Sequence, residues 1–265
     1  MPDMGSMLDI FEKAALAAGK IILDIYRAGP DYRLKADCTP VTEADERAEA
    51  IILAALAAHC PDIPVIAEES VAAGRVPEIA HRAFILVDPL DGTKEFIGGR
   101  NDFTVNIALI EQGSPVLGVV YAPALGVAYC GGPEGACKLE IADDLSGATR
   151  RPIHARPAAS PPVAVASRTH GNAETDAYLK QSGAAEICCI GSSLKFCLLA
   201  EGKADLYPRF SRTMEWDTAA GDAVLRAAGG MTLELDGLPL RYGKTGQSED
   251  ADFANPSFIA RGIVG

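Results

Sequence analysis

Phe84-Ile85-Leu86-Val87 runs without a break into Asp88-Pro89-Leu90-Asp91-Gly92-Thr93. The four apolar residues predict a buried strand. Pro89 restricts the backbone after Asp88 and Gly92 permits a sharp turn, so two carboxylates three residues apart can converge at the strand's end. Hard divalent cations take such oxygen ligands, and the Leu90 carbonyl between them is free to join. The same residues also read as a capped turn, since Asp and Gly favour turns. An EF-hand is excluded, because its alternating acids and distal glutamate are absent.

Outward from this stretch, apolar runs at Val65–Ala67, Val105–Ile110 and Gly118–Tyr121 read as strands of the same sheet, the last two separated by Glu111-Gln112-Gly113-Ser114. Upstream, Leu8 to Ala28 spaces Leu8, Phe11, Ala15, Leu16, Ile22, Leu23 and Tyr26 as an amphipathic helix stopped by Gly29-Pro30. Asp31 to Thr42 is a polar loop or hairpin, and Glu43 to His59 a second helix ended by Cys60-Pro61. Downstream, Arg151 to Pro162 holds four prolines in twelve residues, which excludes a helix or a central strand and marks a junction between residues 1–150 and 151–265. Beyond it, strands at Val163–Ala166, Glu186–Ile190 and Ala204–Tyr207 are interleaved with helices near Ala173–Ser182, Ser193–Glu201 and Thr218–Ala228. Strands alternating with helices in both halves predict an α/β or α+β class with layered sheets.

Three further acidic segments accompany the first. Ile66-Ala67-Glu68-Glu69-Ser70 follows a strand, where adjacent side chains point opposite ways, so one glutamate ligates and the other is solvated or caps Ser70. Thr42-Glu43-Ala44-Asp45 opens a helix, where Asp45 reads as a cap and suits the positive dipole end. Trp216-Asp217-Thr218-Ala219-Ala220-Gly221 makes Asp217 a candidate N-cap, and its small residues let the helix start approach another backbone or a phosphate.

The chain has 265 residues, enough for two domains of roughly 150 residues or one large one. Its 48% hydrophobic and 23% charged residues describe a folded globular protein rather than a disordered one. Asp and Glu number 36 against 24 Lys and Arg, and a net charge of −12 argues against a nucleic-acid duplex as partner. An anionic substrate would need positive charge from elsewhere. The cysteines, at 38, 60, 130, 137, 188, 189 and 197, form no C-x-x-C pair and fit a reducing compartment. With no signal peptide and no stretch of roughly 20 apolar residues, the sequence reads as cytoplasmic, without a transmembrane segment.

Taken in order and spacing, Val41-Thr42-x-Ala44-Asp45, Ala67-Glu68-Glu69-Ser70, Asp88-Pro89-Leu90-Asp91-Gly92-Thr93 and Trp216-Asp217-Thr218-Ala219-Ala220-Gly221 resemble the motifs of the inositol monophosphatase superfamily of lithium-sensitive, magnesium-dependent phosphatases. The likeness runs from the first helix to about residue 235. Lys94-Glu95-Phe96, Asn101-Asp102-Phe103-Thr104-Val105-Asn106-Ile107, Gly191-Ser192-Ser193-Leu194-Lys195-Phe196-Cys197 and Asp205-Leu206-Tyr207-Pro208-Arg209-Phe210 look like the 3'(2'),5'-bisphosphate nucleotidase branch, of the bacterial CysQ type. The resemblance implies an α+β fold, a layered α-β-α-β-α sandwich, and hydrolysis of the 3'-phosphate of adenosine 3',5'-bisphosphate, a small-molecule partner, to AMP.

The same resemblance implies two or three Mg2+ ions held by Glu68, Asp88, the Leu90 carbonyl, Asp91 and Asp217, with Asp45 and Thr93 orienting the attacking water. It places substrate contacts at Glu68, Leu90, Asp91, Gly92, Thr93, Ser192, Lys195, Arg209 and Asp217, with Glu68 also among the catalytic groups. Without the resemblance, Lys195 on a helix and Arg209 after a strand read as solvated charges. Inositol phosphate or fructose 1,6-bisphosphate hydrolysis would use the same acids, and a non-enzymatic metal- or phosphate-binding regulator would be expected to lack Asp45, Glu68 or Thr93. The bacterial branch also implies peripheral association with the cytoplasmic face of the inner membrane, which no basic amphipathic helix here supports. Oligomeric state is left open.

Overall fold

The computed structural model describes residues 2–35, 40–79, 83–142, 148–168 and 171–263. Cys38 and the centre of the predicted hairpin lie outside them. Helix α1 (Met4–Ala28) starts a turn earlier than its apolar spacing indicated, because the Asp3 carboxylate accepts from the Ser6 amide and caps it. The hairpin β1 (Tyr32–Leu34) and β2 (Pro40–Thr42) leads into α2 (Glu43–His59). Strand β3 (Val65–Ala67) passes directly into the short helix α3 (Glu68–Ala72). Then come β4 (Phe84–Asp91), α4 (Thr93–Ile97), β5 (Thr104–Glu111) and β6 (Ser114–Ala122).

Three more strands follow, β7 (Val127–Gly132), β8 (Gly135–Ile141) and β9 (Ala148–Ile153). With them the sheet has seven strands in the order β3 to β9, antiparallel except for β3 against β4. The expected alternation of strand and helix therefore fails in this half, which is mainly a meander of hairpins. Val127 to Ile141 hid its strands because glycine, alanine and cysteine dilute its apolar pattern. Strand β9 also enters the proline-rich stretch as far as Ile153, and Pro152 is tolerated because β9 is the sheet's edge.

The remaining elements are β10 (Val163–Ser167), α5 (Ala173–Gln181), β11 (Glu186–Ile190), α6 (Leu194–Ala200), β12 (Leu206–Arg209), β13 (Thr213–Met214), α7 (Ala219–Ala227), β14 (Met231–Glu234), β15 (Ala254–Asn255) and β16 (Phe258–Arg261). Five of them form a second sheet in the order β11-β10-β12-β16-β14.

Alternation along the central strands explains the layering. Ile85, Val87, Ile107 and Val119 pack with Phe11, Ile22 and Ile52 from α1 and α2. Phe84, Leu86, Ala108 and Val120, on the opposite face, join Phe196, Val224, Tyr207 and Phe258 from α6, α7 and the second sheet. A sheet covered on both faces reads as continuous apolar runs. Leu179 of α5 packs on Ala164 and Leu206, closing the outer face. The order is helices, sheet, helices, sheet, helix, the α+β sandwich expected. Among the described residues no helix is long and apolar enough to cross a membrane.

Candidate active site

Strand β4 loses register with β5 between Asp88, opposite Asn106, and Asp91, opposite Thr104. This irregularity is what Pro89 imposes. It lets Asp88 Oδ1 accept the Leu90 amide at 3.0 Å and leaves both carboxylates at the rim of one cleft. Gly92 follows with φ of 92°, a left-handed conformation suited to glycine, and turns the chain into α4. The Leu90 carbonyl is already engaged, accepting from Thr93 Oγ1 at 3.2 Å.

Asp45 serves both readings given to it. Its Oδ2 accepts from the Thr42 amide and hydroxyl at 2.8 and 2.7 Å, completing a capping box at the start of α2. Its Oδ1 accepts from Thr93 Oγ1 at 3.1 Å, so Thr93 is held between Asp45 and the Leu90 carbonyl. Burial, opposed by the Thr42 bonds, pushes the Asp45 carboxyl up to about 6.

Glu68 and Glu69 do not diverge as expected of a strand. They open α3, where neighbours are turned about 100° rather than 180°, and both reach the Lys35 ammonium, at 2.7 and 2.6 Å. Ser70 is not capped by its neighbour either. Its hydroxyl donates to Glu49 Oε1 at 2.7 Å, and Glu49 Oε2 takes the Glu69 amide at 2.7 Å. Glu49, buried on α2, thus holds α3 in place, a role that only its depth in the helix pattern could have signalled.

Asp217 does not cap α7. Thr218 occupies that position, while Asp217 Oδ2 accepts the Met214 amide at 2.8 Å and the carboxylate lines the cleft with Glu68, Asp88 and Asp91. The small residues Ala219 to Gly221 pack against protein. A Cβ on Gly118 would fall 2.4 Å from the Ala220 carbonyl oxygen, and one on Gly221 would fall 2.6 Å from the Phe196 ring. Glu95, buried on α4, adds a carboxylate to the wall that had not been singled out, although it lies in the quoted Lys94-Glu95-Phe96 segment.

Two cations of the cleft, Lys195 and Arg209, are not solvated. Lys195 is 4% exposed, with Nζ donating to the carbonyls of Ser192 at 2.5 Å and Ile190 at 3.3 Å. Burial lowers its ammonium to about 8, against the pull of Asp91. Arg209, 7% exposed, donates through Nε to the Ser211 carbonyl at 3.2 Å. Ser192 has φ of 48° and a buried hydroxyl with no hydrogen-bond partner among the described residues. Asp102, also missed, fixes this turn by accepting the Gly191 amide at 2.7 Å while pairing with Arg168.

The cleft therefore brings acidic and basic side chains together. Burial comes first in raising Asp88 well above the carboxylate range and Asp217 to about 8, and neighbouring carboxylates add to it. Asp91 rises to about 6, chiefly by burial, with Lys195 pulling the other way. Crowded all-oxygen donors, of which Glu68 is paired with Lys35 and Asp91 is drawn by Lys195, fit a hard divalent cation. Among the described residues, however, no three acidic side chains close around a single point.

The model of the inositol monophosphatase family matches residues 3–262. The protein from Escherichia coli (strain K12) named 3'(2'),5'-bisphosphate nucleotidase CysQ is 46% identical over 254 residues, covering 95% of this chain and 98% of the relative. The protein of that name from Buchnera aphidicola subsp. Acyrthosiphon pisum is 40% identical over 261 residues, 97% of this chain and 94% of its own. Among solved structures, CysQ from Bacteroides thetaiotaomicron, described as a bacterial member of the inositol monophosphatase family, aligns with a TM-score of 0.79 and 38% identity, covering 99% of both chains.

Proposed function

Because this chain belongs to the inositol monophosphatase family, we propose that it is a magnesium-dependent phosphatase that removes the 3'-phosphate of adenosine 3',5'-bisphosphate, giving AMP and phosphate. The reading rests above all on one cleft lined both by carboxylates, at Glu68, Asp88, Asp91 and Asp217, and by buried cations, at Lys195 and Arg209. A substrate with two phosphates would find cation-binding acids for one and fixed positive charge for the other. The relatives, named as 3'(2'),5'-bisphosphate nucleotidases, supply the nucleotide.

Glu68, Asp88, Asp91, Asp217 and the Leu90 carbonyl would hold two or three Mg2+ ions, whose chemistry when bound is to polarise phosphoryl oxygens and acidify water. The protein's own part is positional and protonic. Thr93 Oγ1, 3.1 Å from Asp45 Oδ1, would take a proton from an oriented water on one side as it passes its own to Asp45 on the other, leaving hydroxide to attack and Thr93 unchanged. Amides at Gly92 and Thr93, in a turn that Gly92 makes possible, can hydrogen-bond the scissile phosphate. Lys195, Arg209 and the unpartnered Ser192 hydroxyl take the phosphate and sugar that are not cleaved.

Phosphate release from adenosine 3',5'-bisphosphate, inositol 1-phosphate and fructose 1,6-bisphosphate, each with magnesium and with chelator, tests the reading. The bisphosphate nucleotide should be the preferred substrate, and chelator should abolish turnover. Preference for inositol phosphate would transfer the site to a sugar phosphatase, and no release from any of them would favour a binding protein.

A further inference from the structure

Cys130 and Cys137 stand directly opposite one another in the hairpin of β7 and β8. Facing Cα atoms of an antiparallel pair lie about 4.5–5.5 Å apart, inside the roughly 4.4–6.8 Å that a disulfide spans. Both side chains are on the α1 face of the sheet, Cys130 buried and Cys137 partly exposed. Two charged groups from other elements close on them. Arg150 of β9 donates through Nη1 to Cys137 Sγ at 3.1 Å and through Nη2 to Glu12 Oε2 at 2.6 Å. Cys130 Sγ lies 3.8 Å from the same Glu12 oxygen. None of these residues lines the cleft.

This arrangement separates the roles of the two sulfurs. The Cys130 thiol donating to it, and then the Arg150 guanidinium, hold Cys137 below the ordinary thiol range against the opposing effect of burial. Cys130 is raised because it gives that hydrogen bond and is buried. The more exposed sulfur is thus the one favoured as thiolate, and thiolates are the nucleophiles in exchange.

We propose that Cys137 and Cys130 form a redox-active thiol pair that a low-molecular-weight disulfide oxidises, with Cys137 attacking and Cys130 resolving. The Cys137 thiolate attacks one sulfur of the small disulfide. The old S–S bond breaks, one thiolate leaves, and Cys137 is left in a mixed disulfide. Cys130 then gives its proton to Glu12 and attacks the Cys137 sulfur, expelling the second thiolate. The two protein sulfurs lose two electrons, which leave with the two small thiolates; the Cys130 proton sits on Glu12 until solvent takes it, and the released thiolates draw their protons from water. The register already sets the two residues face to face, so closure needs no slip of β7 against β8.

The test uses the full chain and glutathione disulfide at graded ratios to glutathione, with free thiols alkylated and peptides mapped by mass. A Cys130–Cys137 link should form ahead of any adduct on the exposed Cys188 or Cys189. In Cys130→Ser the glutathione adduct should persist on Cys137. In Cys137→Ser, Cys130 should stay alkylatable only after unfolding and carry no adduct. Arg150→Gln should slow adduct formation by about threefold or more, by raising the Cys137 pKa. Adducts confined to Cys188 and Cys189, or a Cys137 adduct that never resolves in the unmodified sequence, would overturn the proposal. The mapping of the unmodified chain needs no substitution, so a variant that misfolds does not hide the answer.

Discussion

A carboxylate placed among other buried carboxylates is useful to a cation only while it keeps its charge. Asp91→Asn preserves shape and removes that charge, so turnover at saturating magnesium should fall by about 10²- to 10³-fold with thermal unfolding nearly unchanged. Near-normal turnover in phosphate-release assays would remove Asp91 from the site. Among the cations, Arg209→Ala and the volume-keeping Lys195→Met each delete a charge-assisted hydrogen bond worth about 1.5–3 kcal/mol, or roughly ten- to a hundred-fold in affinity. The loss should appear as raised KM for adenosine 3',5'-bisphosphate and be absent for a nucleotide carrying only the scissile 3'-phosphate. Equal losses on both substrates would assign the pair to the fold. The burial of these two cations was not legible in the sequence, because Lys195 sits on a helix whose outer face the second sheet covers. Asp45 was legible twice over, as a cap and as Thr93's partner, since its cap lies three residues away and its motif was intact.

Elements deliver these side chains only if they pack closely. Helix α7 follows Asp217 and lies on β6, where Gly118 leaves no room for a side chain against the Ala220 carbonyl. Gly118→Ala should therefore cost about 1–3 kcal/mol, read as a lower denaturant midpoint at unchanged slope, and should lower turnover by shifting Asp217. Unchanged stability would mean that the helix has slack. The helices α2, α5, α6 and α7 were readable because apolar spacing and caps are local. Strands β7 to β9 were not, because Gly131, Gly132 and Gly135 break the pattern while pairing with neighbours supplies the strand. The divergence expected of Glu68 and Glu69 failed for a related reason: the strand ends at Ala67, and the Glu49 carboxylate takes up the start of α3.

Across the whole molecule, the segment joining the two sheets is pinned by Arg156, which donates to the Asp205 carboxylate at 2.7 and 3.1 Å while the Val163 amide donates at 2.8 Å. Burial alone would raise Asp205, but these bonds outweigh it and hold the carboxyl below its usual 3.8. Its stabilising contribution is therefore present above about pH 4 and is lost as pH falls through the folded value. Denaturant unfolding from pH 7 to pH 3 should show the unaltered protein losing stability more steeply than Asp205→Asn; parallel profiles would show that the pair is screened. The sequence by itself determined the acidic motifs, their order, most of the helices and the central apolar strands, because strand length, proline and glycine geometry and helix capping depend on residues a few positions apart. The tertiary structure alone decided that Glu68, Asp88, Asp91 and Asp217 share a wall, that Lys35 bridges two glutamates, that Lys195 is buried and that Cys130 faces Cys137. Charge, desolvation and thiol reactivity act through space, between segments that meet only when the sheets and helices stack.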